Sequence, residues 1–127
     1  MLMKKIIFTL FLITLTGLSF SCKTTKEISE DLTAAQIIQL GQDAFESSNY
    51  KEAERCYKTV LERFASETAT YVEAKYELGH IYIKTKKYDL AKACFTEILE
   101  IYDKDTYATL PGSYKKLSQI GLSKIPE

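Results

Sequence analysis

The sequence predicts an all-α fold, a short array of antiparallel helix hairpins comprising two repeats and a final capping helix. Three observations carry this. Apolar residues recur every three or four positions from Thr33 onward, the period of a helix that buries one face. Short polar breaks separate these stretches, so successive helices fold back on one another. The chain also repeats itself. Aligning Leu40-Gly41 with Leu78-Gly79 places Asn49-Tyr50 on Lys87-Tyr88, Ala53 on Ala91, Cys56-Tyr57 on Cys94-Phe95 and Val60-Leu61 on Ile98-Leu99, at a constant offset of 38. Generic amphipathicity does not keep so many matches in one register.

Each element has its own justification. Thr33-Ala34-Ala35-Gln36 has the hydroxyl and amide spacing of a capping box, and Ile37, Leu40, Ala44 and Phe45 give the helix behind it an apolar face. Ser47-Ser48-Asn49 interrupts that pattern. Asn49 with Glu52 caps a second helix marked by Ala53, Tyr57, Val60, Leu61 and Phe64. Ala74, Leu78, Ile81 and Tyr82 mark a third, residues 84–87 a turn, and Ala91, Phe95, Ile98, Leu99 and Tyr102 a fourth. Residues 103–110 read as irregular. Pro111 suits the first turn of a helix, and the final helix, about 111–125, has Tyr114, Leu117, Ile120 and Leu122 as its apolar positions, with Lys115, Lys116 and Lys124 keeping it soluble. The repeats span about 34–65 and 72–103 within a domain of 33–125.

The 127 residues allow one domain of ordinary size. Lys4 and Lys5 are two of 17 basic side chains, so the chain from Cys22 onward carries 15 against 17 acidic ones, a net of about −2. Such a domain lacks the clustered positive charge that releases counterions from phosphates, which argues against nucleic acid as a partner.

The N-terminus has a separate logic. Residues 1–5 are basic, residues 6–18 almost wholly apolar, and small residues precede a polar switch at Lys23. The apolar run of about 13 residues matches a secretory signal and falls short of the ~20 that span a bilayer. Residues 1–21 therefore read as a signal peptide, with a membrane-anchoring or buried helix as the alternative. Leu18-Ser19-Phe20-Ser21-Cys22 resembles the lipobox of bacterial lipoproteins, although Ser19 stands where an aliphatic residue is usual. The resemblance implies lipidation of Cys22, with 22–32 a lipidated end and flexible tether. Covalent acyl chains anchor by ~0.8 kcal/mol per buried methylene. Lys23 after the cysteine, rather than an aspartate, points to the outer membrane. An ordinary signal peptide with Cys22 incidental is the other reading.

Leu-Gly in the first helix of each pair, Tyr50 and Tyr88 at the turn, then Ala53 and Ala91, then Tyr57 and Phe95, resemble the tetratricopeptide repeat over roughly 34–103. Gly41 and Gly79 permit close helix approach, Ala53 and Ala91 fill the crossing, and Tyr57 and Phe95 plug the space between hairpins. The spacing of 38 exceeds the family's ~34, so about four residues within 66–70 lengthen the link between repeats. The early tryptophan-type position holds Ile37 and Lys75, and Ala65 and Asp103 replace the closing proline. The resemblance implies a right-handed superhelix whose first helices line a concave protein-binding groove. Carried over by position, that groove is Ile38, Gln42, Phe45 and Glu46 from the first repeat, and Glu73, Tyr76, His80, Ile83 and Lys84 from the second. Burial of these residues under the tether or the final helix is the competing reading.

No catalytic constellation stands out, so a non-enzyme is expected. His80 is the chain's one histidine, and Cys56 and Cys94 sit too far apart in equivalent helices to bridge. Both cysteines read as packing residues, and neither a metal nor a cofactor is expected apart from the lipid on Cys22. The functional expectation is a membrane-anchored interaction scaffold in the bacterial envelope, binding other envelope proteins or peptide segments. Its specific forms are an accessory lipoprotein of outer-membrane protein assembly or a pilot lipoprotein for a secretion or pilus system. A structural protein that self-associates through its open ends is the alternative.

Overall fold

The computed structural model describes residues 27–106 and 108–127. The expected signal segment and Cys22 lie outside the described residues. Within them the chain forms five helices and no strand: α1 (Ala34–Glu46), α2 (Tyr50–Arg63), α3 (Thr68–Lys84), α4 (Tyr88–Lys104) and α5 (Gly112–Ser123). The all-α hairpin array is the fold found.

Local chemistry sets the boundaries. The Gln36 amide donates to Thr33 Oγ1 at 3.3 Å and the Thr33 amide to Gln36 Oε1 at 2.9 Å, completing the capping box of α1. The Glu52 amide donates to Asn49 Oδ1 at 3.4 Å and caps α2. The two hairpin turns share one geometry. Ser48 and Lys86, 38 residues apart, both have φ 59°. The Asn49 amide reaches back to Ala44 O and the Lys87 amide to Tyr82 O, each at 2.8 Å. That is a left-handed helix stop, satisfying carbonyls the helix end would leave orphaned.

The longer repeat spacing has a different form from the one expected. Residues 64–67 alone link the repeats, and the extra residues instead add a turn to the start of α3, which has 17 residues against 13 in α1. The change leaves the packing register intact.

Each helix packs on its neighbours in sequence; α1 also touches α3, and α3 touches α5, whereas α2 and α4 make no close backbone contact. The odd-numbered helices therefore form the inner layer of a curved array. Between the layers lie Ile37, Ala53, Cys56, Tyr57, Val60, Val72, Ala74, Ile81, Ala91, Phe95 and Ile98, all essentially buried. Burial of each large apolar side chain contributes ~1.5–3 kcal/mol, the main drive for the fold. Cys56 and Cys94 are free thiols within this core, as packing residues should be.

Three expectations about burial are corrected. Leu40, read as core, is 44 % exposed, while its repeat partner Leu78 is buried. The reason is position: α3 has α2 against that side, but no described helix precedes α1. In α5 the inward face is the expected one only in part, with Tyr114 and Leu122 packed on the core. Leu117 and Ile120 are exposed, and Ser118 and Gly121 are buried beside half-buried Tyr114 and Leu122. Gly121 takes that face because the Phe95 ring lies against it. Finally, the stretch expected as tether belongs to the fold from Ile28 onward. Ile28 is buried, and the Arg63 guanidinium donates to Ser29 O at 2.8 Å, Ile28 O at 3.0 Å and the Glu30 carboxylate at 2.8 Å.

Candidate protein-binding groove

The inner face is built from α1, α3 and α5, and the Gly–aromatic pairs set how closely these helices approach the layer behind. A Cβ on Gly41 would stand 2.8 Å from Tyr57 Cζ, and one on Gly79 would stand 2.8 Å from Phe95 Cε1. Only glycine admits a ring so close to a helix axis.

Aromatic rings line the groove in a continuous ladder. Phe45 of α1 meets Tyr50 edge-on at 5.4 Å and the His80 ring at 5.1 Å. His80 stacks on Tyr76 at 6.3 Å, and Tyr76 meets Tyr114 of α5 at 5.5 Å and Phe95 at 5.9 Å. Such pairs contribute ~0.5–1.5 kcal/mol beyond burial and hold the rings in fixed orientations. The floor of the groove is thus preorganised.

Of the residues named from the sequence, Phe45, Tyr76 and His80 come together in this ladder. Ile83 is half-buried against the core, Gln42 and Glu73 are half-exposed, and Glu46 and Lys84 are exposed at the rim. Ile38 does not line the groove. It is buried at 6 % exposure within the stripe Ala34, Ile37, Ile38, Gly41 and Ala44. The competing reading, cover by the final helix, holds in part, since Tyr114 leans on Tyr76 while both stay half-exposed.

Sequence reasoning missed Glu77, Tyr114 and Lys124. Glu77 stands one turn beyond Glu73 on α3, and burial, with Glu73 beside it, raises its carboxyl above the usual range. Burial also raises the phenol of Tyr114 to about 12, helped by Glu73 and Glu77. At the other end, burial lowers the His80 pKa, with Lys84 and Lys124 adding to the effect. The groove is therefore polarised along α3, acidic at Glu73 and Glu77 and basic around His80, Lys84 and Lys124. Charge periodicity did not single out Glu77, since i,i+4 carboxylates usually lie on a solvated face.

The departures from repeat consensus have structural explanations. Ile37 fills its position in the core. Lys75 fills the equivalent one with its stem, its amine bonded to Glu97 Oε2 at 2.9 Å and set 5.0 Å from the Tyr71 ring centre. On the hairpin surface Glu54 joins Lys58, Lys87 and the Tyr82 hydroxyl at 2.7, 3.2 and 3.2 Å.

These groups suit binding better than bond making. Burial pushes the Cys94 thiol up to about 11 and raises that of Cys56, so neither offers a thiolate. Among the described residues no three His, Cys, Asp or Glu side chains gather as a metal site. A separate hollow of about 310 Å3, lined by Thr68, Ile101, Lys104, Asp105, Thr109 and Leu110, shares no residue with the groove. No helix among the described residues is long and apolar enough to cross a membrane.

Comparison with known proteins agrees with the repeat geometry. The chain is 31 % identical over 109 residues to a protein of Treponema pallidum (strain Nichols) described as an uncharacterized protein; the match covers 84 % of this chain and 44 % of that one. The chain thus spans less than half the length of that relative. No solved structure gives a significant match. A family model described as tetratricopeptide repeat matches residues 31–104. That span takes in both hairpins, with their paired glycines and left-handed turns, and the chain belongs to the tetratricopeptide repeat family.

Proposed function

We propose that the chain is a protein–protein interaction module that binds a partner segment along the inner face of α1, α3 and α5. The aromatic ladder from Phe45 through His80 and Tyr76 to Tyr114 is the observation that carries this reading. Half-exposed aromatics with a polar rim make an interface core. Membership of a family of interaction scaffolds supports it, and supports a non-enzymatic role.

A photocrosslinker placed at Gln42 or Lys84 in the full-length chain tests this in cells. Crosslinks to a discrete partner should form from these positions, fail from Glu62 and Lys92 on the even-numbered helices, and weaken in Tyr76→Ala. Equal crosslinking from both layers would remove the groove from the account.

The finer reading is a lipoprotein of the bacterial envelope, lipidated at Cys22 after loss of residues 1–21 and held at the outer membrane. Its support is the basic, apolar and small-residue order ahead of Cys22. Accessory work in outer-membrane protein assembly, or piloting of a secretion or pilus component, are its specific forms. Intact mass and fractionation beside Cys22→Ala test it. Acyl mass and membrane association should both vanish in the variant, and an unchanged mass and location would end the anchor proposal.

Self-association is a second reading, favoured by the exposed Leu117 and Ile120 on α5 at 36 and 41 %. An Ile120→Lys variant should then lower the mass measured by light scattering; a monomeric wild type would exclude it.

A further inference from the structure

The acidic end of the groove carries a more specific assignment, which rests on the groove-binding reading above. Glu73 and Glu77 are one helical turn apart on α3, and no cation of the described residues pairs with either carboxylate, although Glu52, Glu54, Glu30 and Glu97 all have such partners. Like charges at this spacing repel, and a half-buried carboxylate loses hydration. Val72, Ala74 and Leu78 supply the buried contacts of this part of α3, and among the described residues the Tyr114 hydroxyl is the one group that bonds to the pair, at Glu73.

A second group points to the same place from a different helix. Tyr57 rises from α2, and its ring passes Gly41 of α1 with Cε1 and Cζ both 2.8 Å from a built Cβ, which carries the phenol end to the seam between α1 and α3. The residue is 1 % exposed, yet its hydroxyl forms no hydrogen bond with the described residues. The charged groups that act on that phenol are Glu77 and Glu73, with Tyr114 beside them. Here two carboxylates without a cation stand beside the Tyr76–Tyr114 ring pair, and the Tyr57 phenol, which bonds to no described residue, feels both of them.

We propose that this end of the groove receives a lysine or arginine side chain of the partner segment, its cation set between Glu73 and Glu77 and its methylene stem against Tyr76 and Tyr114. The charge complements the two carboxylates, the rings cover an aliphatic stem and offer their faces to a cation, and the Tyr57 hydroxyl supplies an acceptor. The opposite end, with Lys84 and Lys124 near His80, disfavours a second basic residue and orients the segment along α3.

The test uses the full-length chain and a randomised peptide library displayed on phage. Enriched peptides should share a Lys or Arg beside an apolar residue. Glu73→Gln and Glu77→Gln should each weaken them about tenfold, the loss of one hydrogen bond to a charged group, while Glu62→Gln, exposed on α2 away from the groove, leaves affinity unchanged. Exchanging the charges guards against a folding artefact: Glu77→Lys should reject the selected peptide and accept its Lys→Glu form. Peptides that lose affinity in Phe45→Ala and Tyr76→Ala but are indifferent to Glu73→Gln and Glu77→Gln would overturn the cation assignment and leave the groove standing. Peptides indifferent to all four variants would overturn both.

Discussion

Gly121 of α5 lies against the ring of Phe95 in α4, so close that a Cβ built on the glycine would stand 2.7 Å from Cε2 and Cζ. A Cβ built on Gly79 of α3 would stand 2.8 Å from the same ring. Phe95 thus ties three helices together, and its 1 % exposure follows from two glycines that leave it room.

Adding a methyl at either glycine should therefore destabilise the domain. Overpacking costs ~1–3 kcal/mol, which outweighs the ~1 kcal/mol an alanine gains inside a helix. Gly121→Ala and Gly79→Ala should both lower the urea midpoint, and Phe95→Leu should recover part of the loss in the double variant. Gly112, with nothing within 4 Å of a built Cβ, is the control. Gly112→Ala should be neutral or stabilising.

The hairpin turns predict the opposite sign for a glycine. Ser48 and Lys86 hold φ 59°, a conformation that costs a residue with a Cβ roughly 1 kcal/mol or more. Ser48→Gly and Lys86→Gly should each stabilise by about 0.5–1 kcal/mol, less what the unfolded chain gains in freedom. Thermal melts of the two single variants and the double should show near-additive gains, since the sites lie in separate hairpins.

Those turns also show where the sequence is readable. Helix positions, the capping box and the paired Gly–aromatic contacts repeat at 38 residues, so their register survives the passage from pattern to packing. The left-handed turns were invisible because Ser48 and Lys86 are not glycine. Leu40 and Leu78 are the same letter in the same register, yet only a helix on one side decides which is buried. In α5, Leu117 and Ile120 look like the core face, but the neighbour is a ring that needs Gly121. Polarity of the groove was unreadable for a related reason. It depends on residues of α2, α3 and α5 converging, which no single helical period encodes.

Ser118 gives a third prediction. It is fully buried, and its hydroxyl has no partner among the described residues. An unsatisfied buried hydroxyl costs ~1–3 kcal/mol, so Ser118→Ala should raise stability by about 1 kcal/mol while keeping a small side chain at this fully buried position. A loss in a urea titration would mean the hydroxyl has a role in packing that its surroundings do not show.

Acid titration should separate two groove residues of α3. Glu77 has its carboxyl raised by burial and by Glu73 from an ordinary 4.5. The folded state holds its proton longer than the unfolded state, so the charge opposes folding at neutral pH; the penalty fades as pH falls through the raised folded value and is gone below 4.5. Glu77→Gln should stabilise at pH 7 and lose its advantage in acid. His80 runs the other way. Burial, Lys84 and Lys124 lower its pKa from 6.5, so stability is complete above 6.5 and declines as pH falls through that value and the unfolded chain takes up the proton first. His80→Gln should flatten that decline in melts between pH 5 and pH 7.

The grip of Arg63 on Ile28, Ser29 and Glu30 fixes more than a local corner. Since Glu30 is 86 % exposed, the two backbone carbonyls give the hold its specificity, and they fasten Ile28 to the array. Six peptide units separate Cys22 from it, a reach of at most ~20 Å even when fully drawn out. A lipid on Cys22 would therefore keep the α2 corner nearer to its point of attachment than a bilayer is thick. A partner would then have to bring its segment down to the headgroups, and geography as much as affinity would choose it.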